Sequence, residues 1–338
     1  MKKNTFYSFS LAALLAATLL TGCEEEDVML IVPKVSISLD NIEVSTRADN
    51  DVNNTTFLLG YEATENPSNL VTPKSIFGIF ADNGSYTYSA VKNYGSTKSS
   101  KTIKKVNATN DAIYFKTWAT DCHMYGWYPY ISSYVSSGTY NHQVLPDQSS
   151  NFNYALSDLL IAQPITHSRT KSGNTWTYGT KPDFTLKHAM SKIILTVTLG
   201  TGVTKITGVR LVNVNRQVPV TLTKSGNQVT AVGVGTAAAV SGSTTVTLYS
   251  NSTGFIASKV LAAVIPPRTG VTADFIEVDA TTALGSGTVK FSVSSQTFTG
   301  DRTYSATLNI TQQQVGTTVD ISGWGANTNL TLGGDGRI

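Results

Sequence analysis

The sequence has 338 residues, of which 25 are Lys or Arg and 22 are Asp or Glu, giving a net charge of +3. It contains 48 threonines and 34 serines, and strong helix formers in heptad spacing are scarce. This composition predicts an all-β protein and excludes a coiled coil, a disordered chain and a disulfide scaffold. Because no basic stripe is interleaved with aromatic residues, nothing in the sequence indicates nucleic-acid binding.

Residues 1–22 have the features of a signal peptide. Two lysines precede an apolar run, residues 11–20, that is too short to span a bilayer. The run ends in Leu20-Thr21-Gly22-Cys23, which resembles the lipobox of bacterial lipoproteins. We therefore predict that Cys23 is lipidated and anchors the precursor in the outer membrane, since two or three acyl chains bind a bilayer stably. The alternative is an ordinary secretory signal with a chance cysteine.

Four acidic residues, 24–27, follow Cys23 directly. Such a cluster of like charges is solvated and extended, so it serves at least as a flexible tether. It also resembles the acidic signal that directs some lipoproteins to the outer face of the outer membrane. The cluster favours export to the cell surface.

The next stretch predicts a pair of half-buried strands. Apolar residues alternate with polar ones, first in one phase and then in the other, at Val35, Ile37, Leu39, Ile42 and Val44. A polar loop follows, in which Arg47 precedes Ala48. Exposed loops near a terminus are preferred sites of proteolysis, although a solvated loop arginine is the plain alternative.

Residues 48–183 are rich in aromatic and turn residues and predict a first β-sandwich domain with long loops. Short strands are expected at 76–80, 113–115 and 127–130, and the polar segments 93–110 and 132–153 are expected to be loops. Residues 154–162 have the spacing of a short helical turn or of the start of a strand. Cys122 has no second cysteine in the mature chain, and its aromatic neighbours indicate a buried structural thiol.

Residues 184–338 predict a second β-sandwich domain. Strand-like segments recur every 10 to 20 residues along the chain and are separated by turn signals. They are 193–199, 209–214, 218–222, 229–234, 244–249, 259–265, 275–278, 289–293 and 304–310. The C-terminal segment alternates apolar residues within a Gly- and Asn-rich stretch. It is suited to pair as a strand with this chain or with another, through Val319, Ile321, Trp324, Leu330 and Leu332.

The sequence contains none of the common catalytic or cofactor motifs. It has no phosphate-binding loop, zinc-protease motif, nucleophile elbow or EF-hand, and Gly233-Val-Gly235 lies between strand-like residues without a following helix. The four histidines share no ligand spacing. We therefore predict no metal, no cofactor and no enzymatic activity, while paired carboxylates for glycoside hydrolysis stay open because their pairing is spatial.

The order of short motifs along nearly the whole chain resembles the fimbrillin family, the major and minor pilins of type V pili. These motifs are the lipobox, the acidic tether, the N-terminal strand pair and the Thr-Arg-Ala loop, followed by Trp127-Tyr-Pro-Tyr130, Asp158-Leu-Leu-Ile-Ala162, Phe184-x-x-x-His188-Ala-Met-Ser-Lys-Ile193 and Ile321-x-x-Trp324.

The resemblance implies two transthyretin-like Greek-key β-sandwich domains in tandem, lipoprotein export and cleavage by an arginine-specific protease. The matching bond in this sequence joins Arg47 to Ala48, so residues 23–47 would be a propeptide that contains the first strands. Removing them would leave a groove for a strand of another pilin subunit. The C-terminal segment is the candidate donor, and the fibre would support adhesion or biofilm formation. Stalk, tip and anchor subunits are not separated, although the arginine argues against an anchor.

Two other hypotheses remain open from the sequence. The protein could stay anchored and bind glycans through exposed aromatic side chains, although core packing is the more ordinary role for such residues. The candidates are Trp118, Trp127, Tyr128, Tyr130, Trp176 and Tyr178. An enzyme such as a glycoside hydrolase is the other alternative, and the low acid content of the sequence argues against it.

Overall fold

A computed structural model of the chain describes residues 41–44, 76–82, 84–92, 101–105, 113–115, 119–131, 138–226, 228–237, 244–314, 318–321 and 331–332. Within these ranges nearly every regular element is a strand. The exceptions are a short α-helix, α1 (Asn151–Ser157), and a single 3₁₀ turn (Gln312–Gln314). The prediction of an all-β protein is confirmed.

Nine of the ten strands from β1 to β10 form one sheet, and β6 is the exception. Seven of them follow the order β1-β10-β7-β5-β2-β3-β4, while β8 pairs with β5 and β9 pairs with β8. The two ends of this order, β1 and β4, also contact each other, so the sheet curls round. The strands are β1 (Asn41–Val44), β2 (Ile76–Ala81), β3 (Gly84–Lys92), β4 (Lys101–Lys105), β5 (Asp121–Tyr128), β7 (Leu160–Ile161), β8 (Ile165–Ser172), β9 (Thr175–Tyr178) and β10 (Asp183–His188).

The other strands form three further sheets. Their orders are β16-β11-β19-β21, β15-β12-β17-β18-β20 and β14-β13-β6. The strands are β6 (Thr139–Gln143), β11 (Ser191–Leu199), β12 (Val203–Leu211), β13 (Gln217–Ser225), β14 (Gln228–Val234), β15 (Val246–Phe255), β16 (Lys259–Ile265), β17 (Arg268–Thr282), β18 (Gly285–Phe298), β19 (Thr303–Ile310), β20 (Thr318–Ile321) and β21 (Thr331–Leu332).

The alternation of buried and exposed side chains explains why strands in the second half of the chain can be predicted from the sequence. In β16 the residues Leu261, Ala263 and Ile265 are buried, whereas Val260 on the opposite face is 64% exposed. Successive side chains of a strand point to opposite faces, so a strand with one buried face shows this period in its sequence. The bounds predicted for β16, 259–265, are the ones observed.

Buried apolar side chains form two clusters. The smaller cluster lies in the first half and extends from Phe77 on β2 to Leu186 on β10. The larger cluster contains most of the buried apolar residues from Met190 onward together with several residues between Tyr125 and Ile161, among them Tyr125 and Trp127 of β5. Since Met124 and Tyr128 of the same strand belong to the smaller cluster, β5 is buried on both faces and contacts both cores.

The strand β6 joins residues on either side of the domain boundary expected at 183/184. It pairs antiparallel with β13, with Tyr140 opposite Val220 and His142 opposite Val218. The division into two transthyretin-like sandwiches stays a prediction. The expectation that 132–153 is a loop is wrong for β6 and for the start of α1. Most residues of these two elements are polar, so their sequences lack the apolar periodicity from which a strand or a helix is predicted.

Three other expectations for the first half are corrected or sharpened. Residues 101–105 form β4 within the segment expected to be a loop, paired antiparallel with β3. The strand expected at 113–115 is reduced to an isolated bridge residue, Tyr114. The segment 154–162 contains both alternatives, since α1 ends at Ser157 and β7 begins at Leu160.

Cys122 is fully buried, as predicted for a structural thiol. Its Sγ lies 3.9 Å from Oδ1 of Asp82, within the range for a weak hydrogen bond from sulfur. No helix in the described ranges is both long enough and apolar enough to cross a membrane.

Candidate functional site

The strand β1 contains the two described members of the predicted displaced strand, Ile42 and Val44. It lies parallel to β10, with Ile42 opposite Phe184 and Val44 opposite Leu186. Cys23, Val35, Ile37, Leu39, Arg47 and Ala48 lie outside the described residues.

β1 is the terminal strand of its sheet. Its pairing partner β10 pairs on the other side with β7, where Lys187 is opposite Ile161. Phe184 and Leu186 are 1% and 0% exposed. Loss of β1 would therefore open the backbone edge of a strand whose apolar side chains belong to the core, and an open edge of this kind readily pairs with another chain.

The C-terminal segment contributes an edge strand to each of two sheets. In β20, Val319 and Ile321 pair in parallel with Phe291 and Val293 of β18. In β21, Leu332 pairs in parallel with Leu308 of β19. Trp324 and Leu330 of the predicted donor lie outside the described residues.

These pairings place the candidate donor against its own chain. β20 and β21 are four and two residues long, and each is the last strand of its sheet order. Strands this short contribute few ladder hydrogen bonds, and each has one neighbouring strand within the described part of the chain.

Three of the short motifs found in the sequence meet beside β1. Trp127 and Tyr128 of β5 pair with Ile161 and Leu160 of β7, and β7 pairs with the end of β10. The motifs are far apart in sequence but form three neighbouring strands. They build the support for β10, the strand that holds β1.

A buried hydrogen bond between His188 and Asp158 lies at the end of this group of strands, and the sequence motifs did not identify it. Nδ1 of His188 lies 2.8 Å from Oδ2 of Asp158, and the two side chains are 0% and 5% exposed. Asp158 is the C-cap residue of α1. The available signal was that both residues belong to the short motifs, but nothing in the spacing shows that they pair.

Two neighbouring groups have shifted pKa values. His142 is fully buried, its Nε2 lies 2.9 Å from the carbonyl oxygen of Ser157, and burial lowers its pKa. Burial, with a smaller contribution from the Asp158 carboxylate, raises the pKa of Tyr128. Both groups are therefore neutral near pH 7, as expected for residues with structural roles.

The other histidines are also placed in structural settings. His167 is buried beside Phe115, with ring centroids 5.3 Å apart, and His123 lies 2.9 Å from the hydroxyl of Thr166. Among the residues whose placement is described, no group of three or more His, Cys, Asp or Glu side chains could hold a metal ion.

A cavity of about 320 Å³ opens at the end of β10. It is lined by residues of β7, β10 and β14 and by the turn that contains Gly300 and Asp301. Among the described residues that line it, Asp301 is the one carboxylate.

The aromatic residues proposed as glycan platforms divide into two groups. Trp127 and Tyr128 are fully buried and Tyr130 stacks on Trp127, so these three pack the core. Trp118 lies outside the described residues. Trp176 and Tyr178 are on β9, where Trp176 is half-buried and Tyr178 is 38% exposed.

The chain is similar to several solved structures. A candidate cell adhesion protein from Bacteroides uniformis aligns with a TM-score of 0.50 and 19% identity over 71% of this chain and 88% of its own. A second one, from Bacteroides ovatus, aligns with a TM-score of 0.43 and 13% identity over 80% and 93% of the two chains.

The tip fimbrial protein Mfa3 of Porphyromonas gingivalis aligns with a TM-score of 0.36 and 12% identity over 70% of this chain and 89% of its own. A comparison with curated proteins found no match. Residues 46–324 match the sequence family described as fimbrillin-like. That match covers most of the chain, and the protein therefore belongs to the fimbrillin-like family.

Proposed function

We propose that this protein is a non-enzymatic structural subunit of a surface fimbria that supports adhesion or biofilm formation. The observation that carries the proposal is the position of β1: a four-residue edge strand directly before the Arg47–Ala48 bond, paired with the core strand β10. Membership of the fimbrillin-like family supports the same role.

The precursor is exported as a lipoprotein and held in the outer membrane through lipid on Cys23. An arginine-specific protease then cuts after Arg47. This single cleavage removes the anchor and β1 together, because both precede the bond. The product is a released subunit in which the β10 edge is open.

A strand from another subunit fills the open edge. The donor is the C-terminal segment around Val319–Leu332, whose parallel pairing in β20 and β21 is short. Burial of each large apolar side chain contributes about 1.5–3 kcal/mol, so a donor with several such residues holds a neighbouring subunit without a covalent link. Other subunits of the fibre are therefore its main partners.

Controlled cleavage tests the proposal. The full chain, extracted in detergent from cells that produce it, is treated with a limiting amount of arginine-specific protease. The expected result is one dominant cut after Arg47, identified by mass spectrometry, followed by SDS-resistant ladders. Arg47→Ala should prevent both, whereas Arg302→Ala, which changes an exposed arginine of the second half, should prevent neither.

Two results would contradict the proposal. A dominant cut at another bond would show that Arg47 is not the maturation site. A clean cut after Arg47 that leaves a stable monomer would exclude polymerisation by strand exchange, and a terminal fimbrial subunit or an anchored lipoprotein would then explain the family membership better.

A further inference from the structure

The hairpin of β8 and β9 carries a row of cations and aromatic rings on one face. Arg169 is directly opposite Tyr178 and Lys171 is directly opposite Trp176. Side chains of directly opposed residues lie on the same face of a sheet, and residues two apart on one strand share that face as well. The four side chains therefore form one surface, here called the hairpin face.

The inner end of the hairpin face is rigidly packed. The guanidinium of Arg169 lies 4.5 Å from the ring centre of Phe115 and 4.0 Å from that of Trp176. Its Nε donates a 2.7 Å hydrogen bond to the carbonyl oxygen of Ala119. Stacking of this kind fixes the orientation of the indole, so Trp176 is held in position before any ligand arrives.

The outer end of the hairpin face reaches solvent. Lys171 is exposed with its Nζ 5.7 Å from the ring centre of Trp176, and Tyr178 is 38% exposed. A tight turn with Gly173 at a φ of 58° joins the two strands, which keeps the hairpin short. Residues 165–178 include Arg and Lys but neither Asp nor Glu, so the hairpin itself contributes only positive charge at neutral pH.

The surroundings favour a small ligand over a protein partner. The opposite face of the hairpin carries hydroxyl side chains such as Thr170 and Thr177. The other exposed large hydrophobic residues of the described ranges, Ile256, Val260 and Leu284, all belong to the second half of the chain. A stable protein interface buries about 1,200–2,000 Å² around an apolar centre, and the hairpin offers no such centre.

We propose that the hairpin face binds an acidic saccharide, a glycan that bears carboxylate or sulfate groups. The apolar faces of sugar rings pack against Trp176 and Tyr178, because these aromatic side chains combine apolar surface with a polar edge. Lys171 provides the cation for the acidic group. Arg169 is a positioning residue that holds the indole. The site does not depend on how subunits assemble.

Binding to defined polysaccharides tests the site. The full chain in detergent is passed over immobilised chondroitin sulfate, polygalacturonate and neutral dextran at a salt concentration of about 0.15 M. We expect binding to one or both acidic polymers. Trp176→Ala should weaken it by about tenfold or more, and Lys171→Gln by several fold, as expected for aromatic and charged contacts at the centre of a site.

Matched variants separate a site from general charge effects. Lys224→Gln removes an exposed lysine from another hairpin, and Thr177→Ala changes the opposite face; both should bind as the native chain does. Trp176→Phe keeps an aromatic ring and should retain part of the affinity, which covers the case in which Trp176→Ala does not fold. Binding of neither acidic polymer, equal binding of dextran, equal loss in Lys224→Gln, or native affinity in Trp176→Ala would each overturn the proposal.

Discussion

His188 and Asp158 are 30 residues apart in sequence and are hydrogen-bonded, with Nδ1 of the imidazole 2.8 Å from Oδ2 of the carboxyl group. His188 ends β10 and Asp158 caps the C-terminus of α1. The pair therefore joins the helix to the strand on which β1 lies. Both side chains are buried, and each provides a hydrogen-bond partner for the polar group of the other.

Removal of the carboxylate should destabilise the fold strongly. We expect Asp158→Ala to lower the free energy of unfolding by about 1–3 kcal/mol or more, because it removes the carboxyl group that is hydrogen-bonded to the buried imidazole of His188. Urea unfolding of the two proteins measures the difference. Asp147→Ala is the control, since the side chain of Asp147 is exposed and accepts a hydrogen bond from the N–H of the nearby Ser149. Equal stability of Asp158→Ala and the native chain would show that the pair contributes nothing.

Stability should depend on pH through His142. Burial lowers the pKa of this residue below its ordinary 6.5, so the unfolded chain binds a proton more readily than the folded one. The stability that His142 contributes is therefore fully present above about pH 6.5 and is lost as the pH falls below that value. His142→Gln keeps a donor for the carbonyl of Ser157 and should flatten this slope between about pH 8 and pH 5, measured by urea midpoints. An unchanged slope would assign the pH dependence to other groups.

The side chain of Gln148 takes the place of a strand partner at the edge of β16. Its Oε1 accepts a 2.8 Å hydrogen bond from the N–H of Val264, and its Nε2 donates a 2.9 Å bond to the carbonyl of the same residue. Gln148→Ala should cost about 1–3 kcal/mol and speed amide exchange at Val264, because two buried backbone groups lose their partner. Gln296→Ala removes an amide that donates a hydrogen bond to the carbonyl of the adjacent Thr297, and it should change neither quantity. Unaltered exchange at Val264 would refute this role.

Gly78 provides room for the indole of Trp127. A Cβ built on Gly78 would overlap the six-membered ring of Trp127, which is fully buried on the paired strand. Gly78→Ala should therefore destabilise the fold by about 1–3 kcal/mol or more. Gly233→Ala is the matched control: it is also a strand glycine, no atom lies within 4 Å of its added Cβ, and the change should be neutral or slightly stabilising. Thermal unfolding that ranks the two variants in the opposite order would contradict this packing.

The sequence predicted the second half of the fold better than the first. In strands such as β11 and β16, most of the buried apolar residues alternate with exposed or half-buried ones. The strand β6 was missed because its residues, Thr-Tyr-Asn-His-Gln, are mostly polar and its partner β13 begins 74 residues later. Long-range pairing of this kind leaves no local signal.

The candidate site was predicted only in outline. The alternation at Ile42 and Val44 identified β1 as a strand, but its parallel partner β10 could not be named from local pattern. The hydrogen bond between His188 and Asp158 was also missed, because a contact between residues far apart in sequence leaves no local pattern. The sequence alone could not separate the aromatic residues that are candidates for glycan binding from those that pack the core. The structure separates them by burial, since Trp127 is fully buried and Trp176 is half-buried.

Immunoelectron microscopy of the cell surface tests fimbrial assembly most directly. An epitope is inserted at the exposed hairpin turn of Gly226 in the full chain, a site that a folded subunit tolerates. A structural subunit predicts gold label repeated along surface filaments, and loss of that label from filaments in the Arg47→Ala variant. Label confined to the outer membrane, or filaments that carry label only at their ends, would contradict the proposed role.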